Sequence, residues 1–151
     1  MKRLFITGTD TEIGKTVVAS ALIRYLVGTG FRVAGMKPVA SGCEETAQGL
    51  RNDDALSLMA ASNVKLPYEV VNPFAYKPAI APHIAATQTG QLIDINRISE
   101  LVQTIEADYL VVEGVGGWCV PLGEAGLLVE LAKAAADEVI IVVGMRLGCI
   151  N

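Results

Sequence analysis

The residues at 8–16, Gly-Thr-Asp-Thr-Glu-Ile-Gly-Lys-Thr, fit the pattern G-x-x-x-x-G-K-[ST], and their chemistry is anion handling. Gly8 and Gly14 let a loop wrap closely, so that backbone N–H groups and a helix N-terminus can surround a chain of phosphates. Lys15 reaches the β- and γ-phosphates, and the Thr16 hydroxyl is placed to coordinate Mg²⁺. The pattern also arises by chance in glycine-rich chains, so its flanks decide. Apolar Leu4-Phe5-Ile6 lies before it and a helix-like stretch at 17–26 lies after it, the strand–loop–helix setting that the motif requires. A nucleoside triphosphate is the implied ligand.

Elsewhere single residues carry less. Lys37 before Pro38 reads locally as a solvated strand end more readily than as a catalytic cation. Asp53 and Asp54 suit the first turn of a helix, where the dipole favours acids, about as well as they suit a metal. Glu113 carries more, because it is an acid that ends an apolar strand and precedes glycine-rich turns. Ser41 reads as a loop serine, His83 as a helix-opening residue, Trp118 as a packing residue and Cys149 as a small residue rather than a nucleophile.

The elements that must position these groups alternate along the chain. Strands are expected at 3–7, 32–36, 109–112 and 138–143. Helices are expected at 15–27 (closed by Gly28 and Gly30), at 53–61, at 95–106 with Asp94 as its cap, and at 127–136. Residues 41–52 read as loop, and 65–82, with four prolines, cannot be regular helix. Such alternation predicts an α/β fold, a mostly parallel sheet with helices on both faces, and ligands beyond the carboxyl ends of the strands. The phosphate loop, Lys37 and Glu113 all fall at those ends.

Composition bounds the rest. The 151 residues fit one domain, 1–151, large enough for a sizeable core. Apolar content is 52%, yet no apolar run approaches the ~18 residues of a membrane span. The first residues lack the apolar core of a signal peptide. Three cysteines without metal-site spacing point to reduced thiols in the cytoplasm. A net charge of −4, without a basic cluster beyond Lys2-Arg3, argues against nucleic acid as the main partner.

The order of motifs resembles the dethiobiotin synthetase family. The segments that carry the resemblance are the loop at 8–16, Lys-Pro-Val-Ala-Ser-Gly (37–42), Leu-Arg-Asn-Asp-Asp-Ala-Leu (50–56), Val-Asn-Pro-Phe (71–74), Ala-Pro-His (81–83), Val-Glu-Gly-Val-Gly-Gly-Trp (112–118) and Leu-Gly-Cys-Ile-Asn (147–151). The resemblance implies a phosphate-loop NTPase-type fold and an ATP- and Mg²⁺-dependent carboxylation and ring closure of 7,8-diaminopelargonic acid. In that reaction one amine takes up CO₂, derived from bicarbonate, as a carbamate. ATP phosphorylates the carbamate, and the second amine attacks the mixed anhydride.

Residue by residue, the resemblance places Glu12, Ile13, Gly14, Lys15, Thr16 and Val17 around the nucleotide, with Gly114, Val115 and Gly116 close to it. It makes Thr16, Asp54 and Glu113 the Mg²⁺ shell, with Asp54 preferred over Asp53. Lys15, Lys37 and Thr11 are the implied catalytic groups, Lys37 lying across carbamate and γ-phosphate. Ser41 and Thr11 would lie near the diamine, and backbone amides of Gly148, Cys149, Ile150 and Asn151 would hold its distal carboxylate across a homodimer interface. Family members continue past the position matching Asn151, so the resemblance also implies a fold truncated after a central strand, lacking adenine-recognising residues and much of the dimer contact.

Two rival functions stay open at this level. One is a related synthetase that draws nitrogen from glutamine or ammonia, although the chain shows no glutaminase segment. The other is a nucleotide-switch ATPase of the partitioning or regulatory type. Such proteins carry an additional lysine early in the loop, where this chain has Thr9-Asp10-Thr11.

Overall fold

A computed structural model describes residues 1–149. In chain order the elements are β1 (Lys2–Gly8), α1 (Lys15–Gly28), β2 (Val33–Met36), β3 (Val39–Ser41), β4 (Glu44–Thr46), β5 (Gly49–Arg51), α2 (Asp53–Ala61), α3 (Tyr68–Val71), β6 (Phe74–Tyr76), α4 (Pro82–Thr89), α5 (Ile95–Gln103), β7 (Tyr109–Glu113), α6 (Leu128–Ala135) and β8 (Glu138–Val142). The main sheet runs β2-β7-β1-β8 and every pairing in it is parallel. The register sets Ile6 opposite Glu113 and Met36 opposite Val112, so the carboxyl ends of β1, β2 and β7 come level.

Side-chain alternation builds the two apolar layers. On β1, Phe5 points into one layer and Ile6 into the other, and on β7 Leu110 and Val112 oppose Val111. The Ile6 side is covered by Ala19, Ile23 and Leu26 of α1 and by Leu58 and Ala61 of α2. The Phe5 side takes Ile98 and Val102 of α5 and Leu128 and Leu131 of α6. Residues 4–8 of β1 pair with β8 on one flank while 2–6 pair with β7 on the other, and its interior side chains are buried throughout. That is why the strand reads as a continuous apolar run. The α/β expectation therefore holds, with helices on both faces.

The sequence reading contains no β3, β6 or α4, and its boundaries differ in further places. Residues 41–52 are not all loop, since β4 and β5 form a small antiparallel hairpin there. Its strands are three residues long and mostly exposed, so no apolar alternation announces them. The proline-rich stretch holds the single turn α3 and the start of α4, whose Pro82 occupies the first helical position, where a missing N–H costs nothing. Helix α5 stops at Gln103 instead of 106, although Asp94 caps it as expected, accepting from the N–H groups of Asn96 and Arg97. Among the described residues no helix is long and apolar enough to cross a membrane, and Cys43, Cys119 and Cys149 are free.

Candidate functional site

The loop between β1 and α1 ends at Gly14, whose left-handed backbone (φ 94°) suits glycine. Among the described residues no side chain caps α1, so its first-turn N–H groups are left without a side-chain acceptor at the cleft. Glu12 holds φ 59°, an uncommon conformation for a residue with a Cβ and one that concentrates at functional loops. Thr9 ties the loop to the sheet: its N–H donates to the Val142 carbonyl (3.0 Å) and its Oγ1 accepts from the Gly144 N–H (3.0 Å). The Lys15 ammonium donates back to the Asp10 carbonyl at 2.6 Å. Burial, and then the Lys37 ammonium nearby, push the Lys15 amine below its usual range.

Three further elements deliver charge to the same place. Lys37 follows β2, and its Nζ donates to Asp54 Oδ2 (2.6 Å) and to Glu113 Oε1 (2.7 Å). Asp54 lies in the first turn of α2, and Glu113 is the last residue of β7. Thr16, in the first turn of α1, donates to Glu113 Oε1 at 2.8 Å. Burial raises the Asp54 carboxyl, but the Lys37 ammonium beside it, the Thr16 hydroxyl and the Lys15 ammonium together outweigh that effect and hold it below its ordinary value. Lys37 and Glu113 are almost wholly buried, with side-chain exposures of 6% and 1%, against 42% for Asp54. A buried lysine and glutamate at hydrogen-bond distance are each other's condition for being inside.

These groups line one cleft of about 1020 Å³. Thr11, Glu12, Gly14, Lys15, Thr16, Val17, Lys37, Ser41, Asp54, Glu113, Val115 and Gly116, all singled out from sequence, reach it. Ser41 Oγ is buried without a hydrogen-bond partner there. Other expected residues lie apart from the cleft lining. The Ile13 side chain packs under the loop against Gly8 and Gly144, while Gly114 sits over Phe5 and Leu128. Gly148 and Cys149 do not line the cleft, and Ile150 and Asn151 lie outside the described residues. Residues 79–82 form a wall, and Asn52 lines the cleft as well; the sequence reading gave none of them a role at the site, although Ala81, Pro82 and Asn52 lie in its motif segments. Trp118 packs against the larger core, as its type suggested.

The donor set suits a hard cation. A hydroxyl and two carboxylates are all-oxygen ligands, and Glu113 Oε2 is buried with no partner. Among the described residues no three His, Cys, Asp or Glu side chains gather as a metal cluster. Two carboxylates leave most of an octahedral shell to waters and to phosphate oxygens, as Mg²⁺ prefers.

A glycine loop turning a central parallel strand into a helix, with a buried lysine and a threonine at the helix start, defines a phosphate-loop nucleotide-binding protein. The family model described as an AAA domain matches residues 2–151. The ATP-dependent dethiobiotin synthetase BioD of Pseudomonas aeruginosa (strain LESB58) is 51% identical over 154 residues, covering 100% of this chain and 68% of that protein. Proteins of the same name from Aeromonas salmonicida and Pseudoalteromonas translucida are each 47% identical, again over 100% of this chain and 68% of theirs. The chain belongs to the dethiobiotin synthetase family.

Proposed function

We propose that this protein closes the ureido ring of dethiobiotin from 7,8-diaminopelargonic acid, CO₂ and ATP, a step of biotin synthesis. One amine of the diamine loses a proton and adds to CO₂, giving a carbamate. A carbamate oxygen then displaces ADP from the γ-phosphorus. The second amine attacks the carbonyl carbon of the resulting mixed anhydride, phosphate leaves with the C–O bond, and a proton is lost as the ring closes. The difficulty lies in the second step, where two anions must approach each other, and fixed positive charge in a poorly solvated cleft lowers that barrier most.

The observation that carries this reading is the convergence of Lys15 and Lys37 with Thr16, Asp54 and Glu113 at the mouth of the phosphate loop. Lys15, released from the Asp10 carbonyl, takes the β- and γ-phosphates. Lys37, steadied on its near side by Asp54 and Glu113, lies between carbamate and γ-phosphate. The first-turn N–H groups of α1 receive phosphate oxygens, and Ser41 Oγ and Thr11 face the diamine. Thr16, Asp54 and Glu113 would hold Mg²⁺, which when bound supplies positive charge on the phosphate oxygens. Little covalent work is asked of the protein, and positioning and charge do most of it. The reading includes a homodimer in the cytoplasm.

The test is phosphate release by the full-length protein given diamine, bicarbonate, ATP and Mg²⁺. Release that depends on the diamine is expected, with dethiobiotin formed in equal amount. Release indifferent to the diamine but stimulated by DNA or a protein partner would move the assignment to a nucleotide switch.

A further inference from the structure

Lys37 and Asp54 come from segments that share no strand pairing, yet their side chains meet at 2.6 Å. A chain of hydrogen bonds outside the charged cluster joins the two backbones. The Asn72 side chain, 3% exposed, donates through Nδ2 to the Lys37 carbonyl (2.6 Å) and accepts at Oδ1 from the Tyr68 hydroxyl (2.9 Å). That hydroxyl accepts in turn from the Asn52 N–H at 2.8 Å. Asn52 is the cap of α2: its Oδ1 takes the Ala55 N–H and its carbonyl the Leu56 N–H. Two residues after this cap stands Asp54.

The strut is held at both ends. The Lys37 N–H donates to the Val71 carbonyl (2.9 Å), so residues 71–72 grip both faces of the Lys37 backbone. The Arg51 guanidinium lies 4.1 Å from the centroid of the Tyr68 ring, a cation–π contact that fixes the ring from the residue next to the cap. Every group in the chain uses its donor and acceptor once in a consistent direction, so removing one leaves its neighbours unpaired.

We infer that Tyr68 and Asn72 are positioning residues, which set the Lys37 ammonium against the Asp54 carboxylate by tying the end of β2 to the cap of α2. Glu113 does not depend on them. Its place beside Lys37 follows from the parallel register of β2 on β7. Loss of the strut therefore loosens Asp54 from Lys37 while leaving the Lys37–Glu113 bond. The consequence for turnover rests on the function proposed above, whereas the geometric consequence does not.

The experiment compares full-length wild type with Tyr68→Phe, which keeps the ring and deletes the hydroxyl. Diamine-dependent phosphate release is measured per site, sites being counted with a non-hydrolysable ATP analogue. A kcat lower by roughly ten- to hundredfold is expected, with KM for ATP within about threefold, because the phosphate loop is untouched. Counting sites removes any loss of folded protein, so a merely structural hydroxyl would leave kcat per site unchanged, and that result overturns the inference. Should Tyr68→Phe not fold, Asn72→Asp places an oxygen against the Lys37 carbonyl and is read in the same way. A crystal structure of the variant reads the geometry without turnover. Lys37 Nζ is expected beyond hydrogen-bond reach of Asp54 Oδ2 and still bonded to Glu113, and an unchanged Lys37–Asp54 contact overturns the inference whatever the protein's activity proves to be.

Discussion

Replacing Lys37 by Met keeps most of the aliphatic stem and deletes the ammonium, which isolates the electrostatic part of its role. In the nucleotide-free protein the loss falls on Glu113, which is 1% exposed and, among the described residues, keeps the Thr16 hydroxyl alone as a donor, at 2.8 Å. Removing one partner of such a buried pair costs about 3–5 kcal/mol. Asp54, with 42% of its side chain exposed, turns to water and adds no more than about 1 kcal/mol. The surviving Thr16 bond favours the low end, so about 3 kcal/mol is expected, a fall in Tm of roughly 6–12 °C at roughly 2–4 °C per kcal/mol for a domain of this size. Urea unfolding at pH 7 measures it. The companion protein Lys37→Met with Glu113→Leu removes both charges at similar volume, and it should recover most of the lost stability without recovering turnover. If the single substitution costs less than about 1 kcal/mol, the ammonium is not what allows Glu113 to be buried. If the double costs the sum of the two singles, the pair is not coupled in the way the distances imply.

Other outcomes follow from the same structure. Lys15→Ala should weaken binding of an ATP analogue roughly ten- to hundredfold by calorimetry, since it removes a charged donor to phosphate. Lys37→Ala should leave that affinity within about threefold and lower turnover by about two orders of magnitude, because the role proposed for it belongs to the transition state. Asp137 is held at about 2 by side-chain and backbone hydrogen bonds from Arg3, which fasten the start of β8 to β1. A depressed carboxyl stabilises the fold above its unfolded value near 3.8 and loses that effect as pH falls toward 2. The urea midpoints of wild type and Asp137→Asn should therefore differ near neutrality and converge through that acid range, and a constant gap would contradict the assignment. Gly35→Ala puts a Cβ 2.9 Å from both Leu58 Cβ and Ile23 Cδ1. It should cost about 1–3 kcal/mol in thermal unfolding, because α2 must be pushed off the sheet.

Strand ends were legible because two local facts combine there: an apolar run identifies a buried parallel strand, and a charged residue stopping that run can lie only at its mouth. Lys37 and Glu113 both satisfy this, and the shared register of β2, β7 and β1 brings them together. The choice between Asp53 and Asp54 was not legible in this way, since both are acids in a first helical turn. Its physical basis is the phase of α2, which the Asn52 cap fixes, leaving Asp53 exposed while Asp54 turns inward to Lys37. The strut of Tyr68 and Asn72 was invisible for a further reason. Its members bond to Asn52 and Lys37 across 16 and 35 residues of chain, and neither periodicity nor capping rules refer to such distances. A lysine buried before any ligand arrives needs carboxylate partners, and a carboxylate borne on a separate helix stays within 2.6 Å only if the two backbones are fastened together. Burial of the charge thus accounts for Glu113, which the sheet register supplies, while the fastening of Asp54 is visible only in the packed structure.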